Sequence, residues 1–199
     1  MVKLTREAQQ KMEISQLAKD AKVCGISNRN SIPEAARVLI AKADTSKRFL
    51  SAEESKAICN YCNTSEDAIG LLIAGSNQVI DEARRDLLTQ QPQLTMPGGG
   101  LFPEPRAEAC WHDCQQFLRV IIYGVACDCT DIADIEGMIA LRHLYKKMEV
   151  PITAMMYVLA RMRALTTRVL ETSGHAHEAT CLNKAFDNLT NALLPTEQS

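Results

Sequence analysis

The chain has 199 residues, of which 46% are hydrophobic and 23% are charged, and its formal net charge is −2 at pH 7. This composition is that of a globular protein with one domain or at most two small ones. A near-neutral charge predicts no nucleic-acid partner and no polybasic membrane patch. No run of about 18 apolar residues could span a membrane, and residues 1–16 lack the apolar core of a signal peptide. We therefore expect a soluble, intracellular protein.

Residues 1–32 form a predicted amino-terminal arm that differs from the rest of the chain. A short apolar stripe in this arm predicts some helix, and a polar loop follows it. A segment with so little apolar surface is expected to be partly helical, or disordered until it meets a partner. The stripe consists of Ile14, Leu17, Ala18 and Ala21.

From residue 33 onward the pattern is helical almost throughout. A first helix begins near Pro33, and a second begins at Ser51, where the letters S-A-E-E match a capping box. Thr64 or Ser65 caps a long third helix that ends before Pro92.

The second half of the chain continues this helical pattern. A glycine-rich loop near residue 98 leads into a long helix that ends near residue 127. Three more helices follow, interrupted at Pro151 and Gly174, and the last ends before Pro195. No segment of four to eight residues alternates as a strand would, so the predicted fold class is all-α.

Eight cysteines are many for this length, and without a secretory signal they are predicted to be thiols. Three spacings stand out: a CxxC pair, a pair four residues apart on one helix, and a CxC pair. These pairs have no fixed relation to one another or to the four histidines, so we predict no metal site. The pairs are Cys59 with Cys62, Cys110 with Cys114, and Cys127 with Cys129.

Residues 97–128 carry the strongest chemical signal of the sequence. Cys110 lies near the start of the long helix and Asp113 follows three residues later, so both project from one helix face. A thiol and a carboxylate beside a flexible loop suit a ligand with an attachment point and polar N–H groups. Spacing alone favours a simpler interpretation, in which Cys110 is a core residue and Asp113 an exposed acid.

The flanking residues resemble the phycobiliproteins, and most closely the allophycocyanins. The letters MPGGG and AEACWHDCQQFLRVIIYG match a PGG loop before a C-x-x-D helix that continues into L-R and a tyrosine four residues on. LRHLYKKMEVPITAM is similar to the family's L-x-x-x-Y-x-x-L-G-V-P-I, with Met148 and Glu149 replacing its leucine and glycine. AKADTSKRFLSAEE looks like the family's A-D-x-x-x-R-Y/F-L-S. The likeness extends from about residue 34 to the final helix.

The resemblance implies a globin-like domain over residues 33–195 that starts with two subunit-pairing helices, preceded by the extra arm and followed by a tail at 196–199. It also implies a phycocyanobilin-type open-chain tetrapyrrole, a bilin, joined by a thioether to Cys110. Asp113 would accept the N–H groups of the middle rings through charge-assisted hydrogen bonds. The other implied contacts of the bilin are Phe117 and Tyr145 as aromatic walls, the backbone at Gly99, and His112.

Four more residues are implied to join two subunits. In the family, an aspartate and an aromatic residue of one chain meet an arginine and a tyrosine of the partner. The implied assembly is a heterodimer with a second phycobiliprotein subunit, then a ring-like trimer of dimers with linker proteins. Its implied location is the cytoplasmic face of the thylakoid membrane, in cyanobacterial cytoplasm or plastid stroma. The residues are Asp44, Phe49, Arg119 and Tyr123.

The chain also departs from the family's pattern at three places. His112 stands where the family usually has an arginine that binds a bilin propionate, and histidine is only partly charged near neutral pH. Gly100 stands where many members have asparagine. Cys127 replaces the glycine that ends the long helix, so the easy left-handed cap is lost.

Three functions remain open from the sequence. The first is a bilin-carrying light-harvesting subunit of a phycobilisome. The second, suggested by His112 and the arm, is a pigment-poor paralogue that acts in assembly, anchoring or regulation. The third, suggested by the cysteine pairs, is a thiol- or metal-sensing globin-like protein. No nucleophile, base and orienting group can be placed together, so we predict that the protein is not an enzyme.

Overall fold

A computed structural model of the protein describes residues 6–194, and within this range the chain forms eight α-helices and no β-strand. The all-α prediction is thus confirmed, whereas the predicted tail at 196–199 lies outside the described range. No helix in this range is both long and apolar enough to cross a membrane. The helices are α1 Arg6–Asp20, α2 Glu34–Thr45, α3 Ala52–Cys62, α4 Glu66–Gln90, α5 Glu104–Ala126, α6 Ile135–Lys147, α7 Ile152–Thr172 and α8 Ala176–Leu193, with short 3₁₀ turns at Ile26–Asn28 and Pro92–Thr95.

Side chains at the helix starts satisfy backbone N–H groups that have no partner within the helix. The capping box predicted for α3 is present: the Ser51 hydroxyl accepts from the Glu54 N–H at 3.2 Å, and the Glu54 carboxylate accepts from the Ser51 N–H at 3.0 Å. Ser65, one of the two predicted candidates, caps α4 by accepting from the Ala68 N–H. These caps place the α2–α3 and α3–α4 turns where the sequence predicts them.

Helix α5 forms the centre of the molecule. It packs against α4 and α8 along much of its length and also contacts α3 and α7. Its carboxyl-terminal half is buried on every side, as expected of a helix with neighbours all round. Leu118, Ile121, Ile122 and Val125 are all fully buried. The two ends of α5 therefore hold their side chains on a rigid support.

The amino-terminal arm consists of two parts that pack differently. Helix α1 lies along α6, yet none of its residues is buried, and its ion pair between Glu13 and Lys147 is half-exposed. Such surface pairs contribute at most about 1 kcal/mol. By contrast, Cys24 and Ile26 belong to the main core. The sequence places the domain boundary at residue 32, whereas the packing of the globin-like domain continues back to about residue 22.

The turn after α5 shows how the chain compensates for the missing glycine at its end. Cys127 caps α5 with a φ of −95°, and the left-handed conformation falls one residue later, on Asp128 with a φ of 48°. Aspartate tolerates this region better than most residues. The Asp128 carboxylate also contacts the His177 ring at 3.0 Å, which ties the turn to the start of α8.

Candidate functional site

A narrow apolar crevice lies beside Cys110, where α5 meets α4 and the beginning of α7. Cys110 is 6% exposed and Cys114, one turn further on, is 1% exposed, with its thiol 3.5 Å from the Met155 sulfur. Cys110 is therefore the more accessible of the two thiols that face the crevice. Other lining residues are Leu101, Trp111, Pro151, Ala154 and Val158.

Asp113 and Tyr145 form a polar pair near Cys110, outside the residues that line the crevice. The Tyr145 hydroxyl donates to Asp113 Oδ2 at 2.6 Å across α5 and α6. Burial raises the pKa of Asp113, and the Tyr145 hydrogen bond and the charges of His112 and Lys47 oppose that rise. Burial and the negative charge of Asp113 raise the pKa of Tyr145 as well. Tyr145 thus stays a hydrogen-bond donor, and a ligand N–H that binds Asp113 must join or displace it.

The environment of Cys110 keeps its sulfur protonated near neutral pH. Burial, assisted by the charge of Asp113, raises the pKa of Cys110 to about 11, against the opposing effect of Arg106. The thiolate is the reactive form of cysteine, so this thiol is a poor nucleophile on its own. Chemistry at Cys110 therefore requires a reaction partner that activates the thiol or lowers its pKa.

The glycines before α5 allow their loop to pack closely against neighbouring segments of the chain. A Cβ atom added to Gly99 would lie 2.2 Å from the Gln93 carbonyl oxygen, and one added to Gly100 would lie 3.0 Å from the Pro151 ring. Glycine is needed here for close backbone approach. The structure therefore gives Gly99 a role in loop closure, which differs from the ligand contact that the resemblance implies.

Two other predicted ligand contacts lie apart from the crevice. Phe117 is 1% exposed and belongs to the main core, not to the crevice lining. His112 is exposed and lies in a surface groove on the outer side of Trp111. In this groove the Arg84 guanidinium stacks 5.2 Å from the centre of the Trp111 ring. The structure thus brings Cys110, Asp113 and Tyr145 together, with His112 at the rim and Phe117 behind.

Sequence reasoning missed two cationic residues of the site. Arg106 Nη2 donates to the carbonyl oxygens of Met148, at 2.5 Å, and Glu149, and so joins the start of α5 to the α6–α7 turn. Lys47 lies in the α2–α3 turn, close enough to Asp113 to affect its pKa. Arg106 binds main-chain oxygens, which every residue carries, so no side-chain pattern could have pointed to it. Nothing in the local sequence points to Lys47, because only folding brings it near α5.

Three of the four residues predicted to join two subunits, Asp44, Arg119 and Tyr123, contact one another within this single chain. Arg119 Nη1 forms a 2.8 Å ion pair with Asp44 Oδ1 and donates to the Tyr123 hydroxyl at 2.8 Å. The Tyr123 hydroxyl in turn donates to the Arg48 carbonyl oxygen. Arg119 is 2% exposed and Tyr123 is fully buried, while Phe49 is half-buried beside the core. Asp44 and Arg119, implied by the resemblance to meet across two subunits, here meet inside one chain, because α3 packs against α5 and brings the end of α2 near Arg119.

The remaining cysteines gather near the opposite end of α5. Cys62 and Cys127 lie close enough for each to shift the pKa of the other, so the structure brings one member of the CxxC spacing near one member of the CxC spacing. All eight cysteines are free thiols. Within residues 6–194, no three His, Cys, Asp or Glu side chains are grouped so that they could hold a metal ion.

Comparison with known proteins shows that the chain is similar to phycobilisome proteins, both to a family model and to individual relatives. A family model described as phycobilisome protein matches residues 38–193. The allophycocyanin alpha chain of Arthrospira platensis is 29% identical over 158 residues, which cover 77% of this chain and 95% of that protein. An allophycocyanin alpha subunit from a Picosynechococcus species is 31% identical over 135 residues, covering 66% and 83% of the two chains.

The likeness includes a beta chain and a solved structure. The C-phycocyanin beta chain of Aglaothamnion neglectum is 26% identical over 128 residues, covering 63% of this chain and 74% of that protein. A far-red fluorescent biliprotein, derived from an allophycocyanin F subunit of Chroococcidiopsis thermalis, superposes with a TM-score of 0.57 at 18% identity. That superposition covers 72% of this chain and 98% of the other, and it shows a shared fold. With its family model matched over most of its length and its helices arranged as in a biliprotein, the chain belongs to the phycobilisome protein family.

Proposed function

We propose that this protein is a light-harvesting phycobilisome subunit that carries a bilin on Cys110. The observation that carries the proposal is the position of the Cys110 thiol beside an apolar crevice, on the same helix face as the partly buried Asp113–Tyr145 pair. Family membership and the allophycocyanin-like relatives support it. A bilin supplies strong absorption of visible light, and the protein's task is to hold it rigid.

The chemical groups of the site suit a bilin. Its pyrrole N–H groups need a buried acceptor, which the Asp113 carboxylate offers. The Trp111 indole N–H is buried and has no hydrogen-bond partner within the described residues, so it is ready to donate to a ligand oxygen. The crevice encloses only about 10 Å³, far less than the roughly 300–1,000 Å³ typical of ligand pockets. We therefore expect it to widen as the ligand binds.

The residues around the crevice then have distinct tasks. Cys110 would provide the thioether sulfur, and its raised pKa implies that the proton must be removed during attachment. Asp113 would orient the N–H groups while Tyr145 keeps the carboxylate in place. Arg106 would hold the α6–α7 turn against α5, so that the lining at Pro151 stays in position. The proposal gives none of these residues a catalytic role.

The family also suggests where and with what this subunit works. Its relatives are named as alpha or beta chains, so we propose that it assembles with a second phycobiliprotein subunit and with linker proteins on the thylakoid surface. The ion pair between Asp44 and Arg119 restricts how this can happen. A partner carboxylate can reach Arg119 only after Asp44 has moved away.

The test is co-expression of the full-length chain with a bilin-synthesis pathway and bilin lyases. We expect visible absorbance that remains with the denatured polypeptide and is lost in Cys110→Ala. Cys114→Ala is the matched control, because its thiol faces the same crevice from a deeper position. A colourless wild-type chain that still binds a phycobiliprotein subunit would instead support the pigment-poor function. Absorbance retained in Cys110→Ala would contradict the assignment of Cys110.

A further inference from the structure

The carboxyl-terminal end of α5 brings together two thiols that the proposed light-harvesting function does not use. Cys62 is the last residue of α3 and Cys127 caps α5, and the two thiols lie close enough for each to shift the pKa of the other. Two residues beyond Cys62, the Thr64 hydroxyl donates to the Ala126 carbonyl oxygen at 2.8 Å. This bond holds the two chain segments side by side. It therefore keeps the two thiols near each other without any bond between the sulfur atoms.

The two thiols differ in exposure and in reactivity. Cys62 is half-buried, within reach of a small reagent, whereas Cys127 is only 6% exposed. The hydrogen bond from Cys127 lowers the pKa of Cys62, and the same contact together with burial raises the pKa of Cys127. Cys62 therefore has the character of an attacking thiol, and Cys127 that of a resolving thiol which reacts second.

The two thiols also lie where a covalent bond would restrict the movement of α3 relative to α5. Helices α2 and α3 form a hairpin, defined here as residues 34–62, which packs against α5 through α3. Near its turn, the hairpin is held by the Asp44–Arg119 ion pair and by the hydrogen bond from Tyr123 to Arg48. Cys62 is at the opposite end of the hairpin. A covalent bond there would fasten the hairpin to α5 at a second, separate point.

We propose that Cys62 and Cys127 form a reversible disulfide that locks the residue 34–62 hairpin onto α5. The oxidant is a low-molecular-weight disulfide such as oxidised glutathione. Cys62 sulfur attacks one reagent sulfur, which forms a mixed disulfide and releases one reduced thiol. Cys127 sulfur then attacks Cys62 sulfur and releases the second. Two protein thiols lose two electrons and two protons, and the reagent disulfide becomes two thiols.

The oxidised and reduced states differ in how freely the hairpin can leave α5. In the reduced protein, noncovalent contacts alone hold the hairpin, and its release uncovers Arg119. In the oxidised protein, residues 62 and 127 stay joined and the hairpin can open only at its turn. The disulfide thereby controls whether the surface of α5 under the hairpin is available to another chain.

The experiment compares the full-length chain in oxidised glutathione and in dithiothreitol. We expect oxidation to remove two titratable thiols, to give one intramolecular disulfide-linked peptide pair containing Cys62 and Cys127, and to raise the Tm by about 10 °C through closure of a loop of some 65 residues. Amide exchange in residues 34–62 should slow by at least tenfold. Dithiothreitol should reverse all four changes.

Single-serine variants provide matched controls for each spacing. Cys62→Ser and Cys127→Ser should lose the disulfide and the Tm increase, whereas Cys59→Ser and Cys129→Ser should keep both. Should Cys127→Ser fail to fold, Cys62→Ser decides the question, since residue 62 is half-buried at a helix end. A disulfide mapped within CxxC or within CxC, a dimer joined through Cys62, or unchanged thiol content would overturn the proposal.

Discussion

The two ends of α5 carry cysteines of opposite character. At the amino-terminal end, Cys110 lies beside Asp113, and burial and that negative charge raise the pKa of the thiol to about 11. At the carboxyl-terminal end, Cys62 from α3 receives a hydrogen bond from Cys127, which lowers its pKa. One thiol is therefore protected and needs help to react, while the other is primed to react with a small disulfide.

This difference arises from the neighbours that each thiol acquires on folding. A carboxylate beside a buried thiol disfavours the thiolate, whereas a second thiol that donates a hydrogen bond favours it. A thiol with a raised pKa suits an attachment site that should react only with its own ligand. A thiol with a lowered pKa suits reversible oxidation. The same helix can support both because its core-facing middle is rigid and separates the two ends.

The largest expected effect is on the pH dependence of alkylation. Because the pKa of Cys110 is raised, its thiolate fraction rises about tenfold per pH unit below pH 11, so its reaction with iodoacetamide should accelerate about 100-fold between pH 7.5 and 9.5. Cys62, with a lowered pKa, should gain less over the same range. Peptide mapping after timed labelling measures both rates. Equal pH profiles for Cys110 and Cys62 would contradict the opposite pKa shifts of the two thiols.

A second effect concerns how Asp113 holds the pigment. Asp113→Asn should leave attachment at Cys110 intact but reduce bilin fluorescence about tenfold, since charge-assisted hydrogen bonds are worth about 1.5–3 kcal/mol. Tyr145→Phe keeps the carboxylate and should have a smaller effect. Fluorescence yield per covalently bound bilin is the measurement. Unchanged emission from Asp113→Asn would remove the proposed clamp.

The loop before α5 offers a matched pair of glycine substitutions. Gly99→Ala should lower the free energy of unfolding by about 3 kcal/mol, because its Cβ would collide with the backbone at Gln93 and Leu94. Gly75→Ala, within α4, meets nothing within 4 Å and should raise the free energy of unfolding by up to about 1 kcal/mol. Urea denaturation compares the two variants. A stable Gly99→Ala would show that the loop is not closed as described.

The smallest expected effect compares a buried ion pair with an exposed one. Asp44→Asn should destabilise the protein by about 2 kcal/mol, because Arg119 is then left buried with only neutral partners. Glu13→Gln removes the half-exposed pair with Lys147 and should cost less than about 0.5 kcal/mol. Denaturant midpoints measure both. Equal losses would mean that the hairpin over α5 is held no more firmly than α1.

Much of the fold could be read from local pattern. The capping box at Ser51, the cap at Ser65 and the interruptions at Pro151 and Gly174 all fall where the helices begin or end. These signals are local, since a cap or a helix break involves residues only a few positions apart. The family could also be predicted from the sequence, because Cys110, Asp113 and their flanking motifs occur in order along one helix and its neighbours.

Contacts between distant segments could not be predicted in this way. The resemblance implied that Asp44 meets an arginine of another chain, yet the two residues, 75 positions apart, meet within one chain. The resemblance implied a ligand contact for the backbone at Gly99, and only the structure shows that its missing side chain also accommodates a 3₁₀ turn. The arm was expected to end at residue 32, yet burial of Cys24 and Ile26 depends on a surface that α5 and later residues provide.

The sequence by itself determined the helices, their caps and the placement of a thiol and a carboxylate on one face of α5. Tertiary structure alone decided the state of each thiol, because pKa depends on burial and on neighbours that come from other helices. It also decided that Cys62 pairs with Cys127 across the CxxC and CxC spacings. The pKa values of the thiols at the two ends of α5 thus depend on packing, and the spacing of residues along the sequence does not predict them.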